Sequence, residues 1–117
     1  MAELLAFKDA TVMLEIIEYP VHPKLCALLL WISQLYDRII FTSGKRDGDT
    51  VHNTVPLRGI DIRSRVYHDP KKICEHINKM WVYDPKRPLK KCAKYHDTGS
   101  GFHFHLQVHP NTFKQGD

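Results

Sequence analysis

Apolar and polar residues alternate along the last stretch of the chain, Phe102 to His109. Read as a strand, Phe102, Phe104, Leu106 and Val108 point one way and His103, His105, Gln107 and His109 the other. Upstream, Leu89 to His96 reads as a partner strand, joined to it by the turn-forming run Asp97-Thr98-Gly99-Ser100-Gly101. Ile60 and Ile62 alternate with Gly59, Asp61 and Arg63, which predicts another strand, and Arg38 to Thr42 predicts a short buried one. Val12, Leu14 and Ile16 alternate with Thr11, Met13 and Glu15, so Thr11 to Glu18 is read as a strand, with an N-terminal helix as the competing reading.

Helical spacing appears twice. Leu25, Leu28, Leu29, Ile32, Leu35 and Tyr36 predict an amphipathic helix over Pro23 to Asp37. Asp69 as N-cap and Pro70 in the first turn open a second helix, whose apolar face carries Ile73, Ile77 and Trp81. Asp84 to Pro88 is a loop, and the tail from Pro110 is expected to fray. These elements predict one α+β domain over residues 1–117, with helices packed on one side of a small, mainly antiparallel sheet.

Composition adds less. No apolar run is long enough to span a membrane. The start lacks a basic n-region and a long apolar h-region, so the expectation is cytoplasmic synthesis without a signal peptide. A net charge of +4 favours anionic partners: nucleic acid, phosphate-rich polymers or a carboxylate-rich cell wall. The cationic run Lys86, Arg87, Lys90, Lys91 and Lys94 reads first as a solvated strand face, so nucleic acid is not the expected partner. Three cysteines without a CxxC pair argue against a disulfide framework, and Cys26 and Cys74 fall in helical patterns as small core residues. His22, His68 and His76 read as solvated surface histidines.

The chemistry lies elsewhere. Asp61, flanked by Ile60 and Ile62, is a carboxylate on an apolar strand and needs a partner, because burying it alone is costly. A strand holds the side chains of His103 and His105 on one side, about 7 Å apart at the backbone. His52, Asp61 and one C-terminal histidine would give two nitrogens and one oxygen, the composition of an open, catalytic zinc site. A cupin would want a Glu soon after the pair, and a non-haem iron triad a His-x-Asp or His-x-Glu; neither is present.

The order Thr42-Ser43-Gly44-Lys45-Arg46, His52, Arg58-Gly59-Ile60-Asp61 and His103-Phe104-His105 resembles the zinc D-alanyl-D-alanine carboxypeptidases and phage endolysin peptidases of the M15 group, a scaffold shared with the Hedgehog signalling domain. The resemblance covers roughly Pro23 to His109. It implies zinc held by His52, Asp61 and His105, with Arg46 and Ser43 at the substrate end. It further implies hydrolysis of peptide bonds in bacterial peptidoglycan by a zinc-bound water, at the cell wall if the protein is a phage lysin; the chain is expected to be a monomer. Where many members carry a Glu as general base, three residues before the last histidine, this chain has Phe102. His103, Asp97 and His96 are the candidates to replace it. The same gap favours an alternative, a non-catalytic zinc-stabilised binding module.

Overall fold

The computed structural model describes residues 5–17, 20–36, 38–43, 56–97 and 101–116. The elements run β1 (Leu5–Phe7), α1 (Ala10–Ile17), α2 (Pro23–Leu35), β2 (Ile39–Ser43), β3 (Gly59–Arg63), α3 (Pro70–Met80), β4 (Trp81–Val82), β5 (Ala93–Asp97), β6 (Phe102–Gln107) and β7 (Phe113–Lys114). Five strands form one sheet in the order β1-β2-β3-β6-β5, and β4 pairs with β7 in a second ribbon. Only β1 and β2 pair in parallel in the larger sheet, with α1 and α2 making the crossover that parallel neighbours need. The architecture is α+β with a predominantly antiparallel sheet.

One face of that sheet is the core. Ile60 and Ile62 of β3, Phe104 and Leu106 of β6, and Ile39 and Phe41 of β2 join Val12, Leu25, Leu28, Ile32, Ile73 and Ile77 from the helices in a single buried cluster. All three helices therefore bury their apolar stripes against residues of one strand parity. The opposite parity of β3 and β6 is left to Asp61, Arg63, His103, His105 and Gln107.

The two expected helices start where their caps dictate. Asp69 Oδ1 accepts from Lys72 N at 3.3 Å, with Pro70 opening α3. At α2 the cap is His22, read as a solvated histidine, whose Nδ1 accepts from Lys24 N at 3.1 Å ahead of Pro23. His76 is likewise not a free surface histidine. Its Nδ1 hydrogen-bonds the Tyr36 hydroxyl, and its ring packs against Trp31, tying α3 to α2.

Three further expectations are corrected. Thr11 to Glu18 is not a strand: residues 10–17 are helical. Asp9 decides this, since its Oδ1 accepts from Val12 N at 2.9 Å and its carbonyl from Met13 N at 3.1 Å. A strand would put Val12, Leu14 and Ile16 on one face; the helix buries Val12, packs partly buried Ile16, four residues on, against the core, and leaves Leu14 56% exposed. Cys26 is exposed and Cys74 half-buried, while Cys92 is the core cysteine, its thiol pushed up to about 12 by burial. The segment after Pro110 does not fray. Phe113 pairs with Val82 and Lys114 with Trp81, and Gln115 N donates to Met80 O at 2.7 Å. Buried Thr112 anchors it, donating from Oγ1 to Tyr83 O at 2.6 Å and accepting from His109 N at 2.8 Å.

Candidate functional site

Strand register assembles the polar face into two cross-strand rows. Asp61 pairs with His105 and His105 with Lys94; Arg63 pairs with His103 and His103 with His96. Residues directly opposite in antiparallel strands project from the same face, so each row is a line of neighbouring side chains. Ser43 extends the first row, opposite Asp61, after an irregularity in β2 between Phe41 and Ser43.

Asp61 and His105 form the buried centre, at 5% and 9% exposure. His105 Nδ1 lies 3.0 Å from Asp61 Oδ1. Its other nitrogen, Nε2, lies 3.0 Å from Gln107 Oε1, and Gln107 Nε2 donates to Lys91 O at 2.7 Å. A carbonyl only accepts, so this last bond fixes the amide with its oxygen toward the imidazole, and His105 Nε2–H must be the donor. Nδ1 is then the nitrogen left to meet Asp61. There it carries a second proton or offers its lone pair to a cation between the two.

His103 flanks the carboxylate on its other side, with Nε2 at 3.7 Å from Asp61 Oδ2 and Nδ1 at 3.4 Å from Gly101 O. If Nδ1–H donates to that carbonyl, Nε2 of the neutral ring faces Asp61 unprotonated. The His96 ring meets His103 edge-on with centroids 4.8 Å apart. Burial, then the neighbouring His103 and His105, hold the His96 imidazole below its ordinary pKa, with Asp61 opposing.

The site opens into a cavity of about 540 Å³ whose walls include Asp61, His103, Thr42, Ser43, Ser64, Lys8, Arg63 and Arg65. Among the described residues, no carboxylate pairs with Lys8, Arg63 or Arg65. Among the described residues that line it, three cations stand beside a single carboxylate, which makes the cavity attractive to anions.

The structure thus brings together five sequence candidates: Asp61, His103, His105, Ser43 and His96. It does not bring Asp97 to them. Asp97 pairs with Phe102, on the strand parity opposite His96 and His103, and its Oδ1 accepts from Gly101 N at 3.1 Å. That bond braces the entry to β6, where Gly101 has φ 106°. His52 and Arg46 lie outside the described residues. His109 lies past the end of β6, its ring tilted against Tyr83 with centroids 5.7 Å apart. Sequence reasoning missed Gln107, although its parity with His103 and His105 was the signal that could have found it. Arg65 and Lys8 carried no such signal, because chain folding alone brings them to this cavity.

Among the described residues, no three His, Cys, Asp or Glu side chains converge as a metal-ligand group. Two donors do fit zinc. In a tetrahedral site with bonds of roughly 2.0–2.2 Å, ligand atoms stand about 3.3–3.5 Å apart, a few tenths of an ångström beyond the 3.0 Å between Asp61 Oδ1 and His105 Nδ1. A ligating imidazole also needs an acceptor for its second nitrogen, and Gln107 is in place as one. Comparison with known protein families, curated proteins and solved structures found no match to this chain.

Proposed function

We propose that the protein is a zinc-dependent hydrolase acting on carboxylate-bearing peptides of the bacterial cell wall. The observation that carries this reading is the contact between Asp61 and His105, two metal donors on a polar sheet face, with His103 beside them at the edge of a cationic cavity. Asp61 Oδ1 and His105 Nδ1 would hold the ion, with His52 as the third ligand implied by the resemblance. Zinc bound there would supply Lewis acidity toward a carbonyl oxygen and a water acidic enough to attack near neutral pH. The chain's own part is binding, orientation and proton movement. Lys8, Arg63 and Arg65 attract substrate carboxylates into the cavity. Ser43, opposite Asp61 in the strand register, orients the peptide, together with Arg46 as the resemblance implies. His103, through Nε2, takes the proton from the attacking water and delivers it to the leaving amine.

The second reading, a zinc-stabilised binding module, has one observation in its favour. The residue three before His105 is Phe102, which is 58% exposed and on the opposite strand parity, so no carboxylate stands in the usual base position. Digestion of purified peptidoglycan by the wild type and by His103→Ala, with zinc content measured in both, separates the readings. The hydrolase reading expects wild-type digestion, and a loss of about 10²-fold or more in the variant at unchanged zinc content. A zinc-loaded, folded wild type that releases no peptide from any wall preparation contradicts it and favours the module.

A further inference from the structure

The hydrogen-bond chain behind His105 does more than fill space. Gln107 is 4% exposed and His105 9%, so water has little access to satisfy the imidazole Nε2 in place of the amide. The amide cannot turn over without placing its NH₂ against the imidazole N–H and its oxygen against the Lys91 carbonyl, a loss of two good hydrogen bonds. The backbone holds both ends, since Gln107 N donates to Cys92 O at 2.8 Å and so keeps the end of β6 in register beside residues 91–92. The Lys91 carbonyl therefore orients Gln107, and Gln107 orients His105.

We infer that Gln107 is the positioning residue that commits His105 to metal ligation through Nδ1, by holding the proton on Nε2. The inference rests on the reading of Asp61 and His105 as metal ligands and deepens it. It says which nitrogen ligates and why only one can. An imidazole on an open strand face presents either nitrogen, and a site built on such a histidine loses metal affinity to the wrong tautomer. Here a chain of two hydrogen bonds, ending on a main-chain carbonyl, removes that choice before any ion arrives. Gln107 does not touch substrate or the reacting atoms.

The test uses full-length protein, with zinc alone as the probe. Gln107→Met keeps the approximate shape and burial and deletes the acceptor. Chelator competition should show zinc bound about 10- to 100-fold more weakly by Gln107→Met than by the wild type. A second measurement needs no variant. Nitrogen-15 NMR of zinc-loaded wild type should find His105 bonded to the metal through Nδ1, with Nε2 protonated and slow to exchange. Ligation through Nε2 overturns the inference, as does equal zinc affinity in wild type and Gln107→Met. Failure of the parent reading looks different: the wild type itself then takes up no stoichiometric zinc. In that event the inferred ligation falls with it.

Discussion

At the scale of single residues, strand parity made much of the site readable. Alternation from Phe102 to His109 put His103 and His105 on one face, and the register with β3 adds Asp61 to it. What alternation cannot convey is which residues lie opposite. Arg63 beside His103, and Lys94 beside His105, follow from pairing between distant strands, and no local pattern encodes that. Thr112 shows the same limit. In sequence it is one polar residue in a short tail; in the fold it is 1% exposed and bonds two main-chain groups through one hydroxyl. Thr112→Val keeps the shape but strands the Tyr83 carbonyl and the His109 N–H. It should cost about 1–3 kcal/mol, measured as a lower urea midpoint at unchanged m-value. A midpoint equal to wild type would mean that the tail is held by something other than this hydroxyl.

At the scale of elements, caps and periodicity disagreed once, over α1, and the cap was the better guide. Alternation over a short apolar run fits a strand and a helix almost equally, whereas Asp9 ahead of the run offers a helix start and offers a strand nothing. The helix at Pro70 was readable because cap, proline and apolar spacing agreed, and the one at Pro23 from proline and spacing without its cap, His22. The cap of α2 has a further consequence. His22 accepts through Nδ1, which it can do only when that nitrogen carries no proton. Burial, followed by Lys24, Arg58 and His109, lowers its pKa below 6.5 in the folded protein. The unfolded chain therefore binds the proton more tightly, and the stability from the neutral cap is present above the unfolded pKa and lost as pH falls through the folded one. Asn caps as well and does not titrate. Thermal melts from pH 7.5 to 5 should show wild type falling relative to His22→Asn as the pH drops. Parallel curves for the two proteins would show that the cap is not the titrating element.

At the scale of the whole molecule, the division of labour is between the two faces of one sheet. One face, covered by three helices, carries the apolar core; the other gathers imidazoles, a carboxylate and cations around a cavity. No helix among the described residues is long and apolar enough to cross a membrane. The fold class was readable because each element's apolar stripe demanded cover, and helices on a sheet supply it. Sheet order and the closing β4–β7 ribbon were not readable, since both depend on contacts between segments far apart in the chain. The proposed activity depends on zinc bound to the polar face through Asp61 and His105. Zinc content of the purified protein, by elemental analysis of wild type beside Asp61→Ala and His105→Ala, tests it most directly. The expected result is one zinc per wild-type chain and little or none in either variant, with circular dichroism confirming that the variants remain folded. Wild type without zinc after dialysis against excess metal, or folded variants that keep a full equivalent, would contradict it.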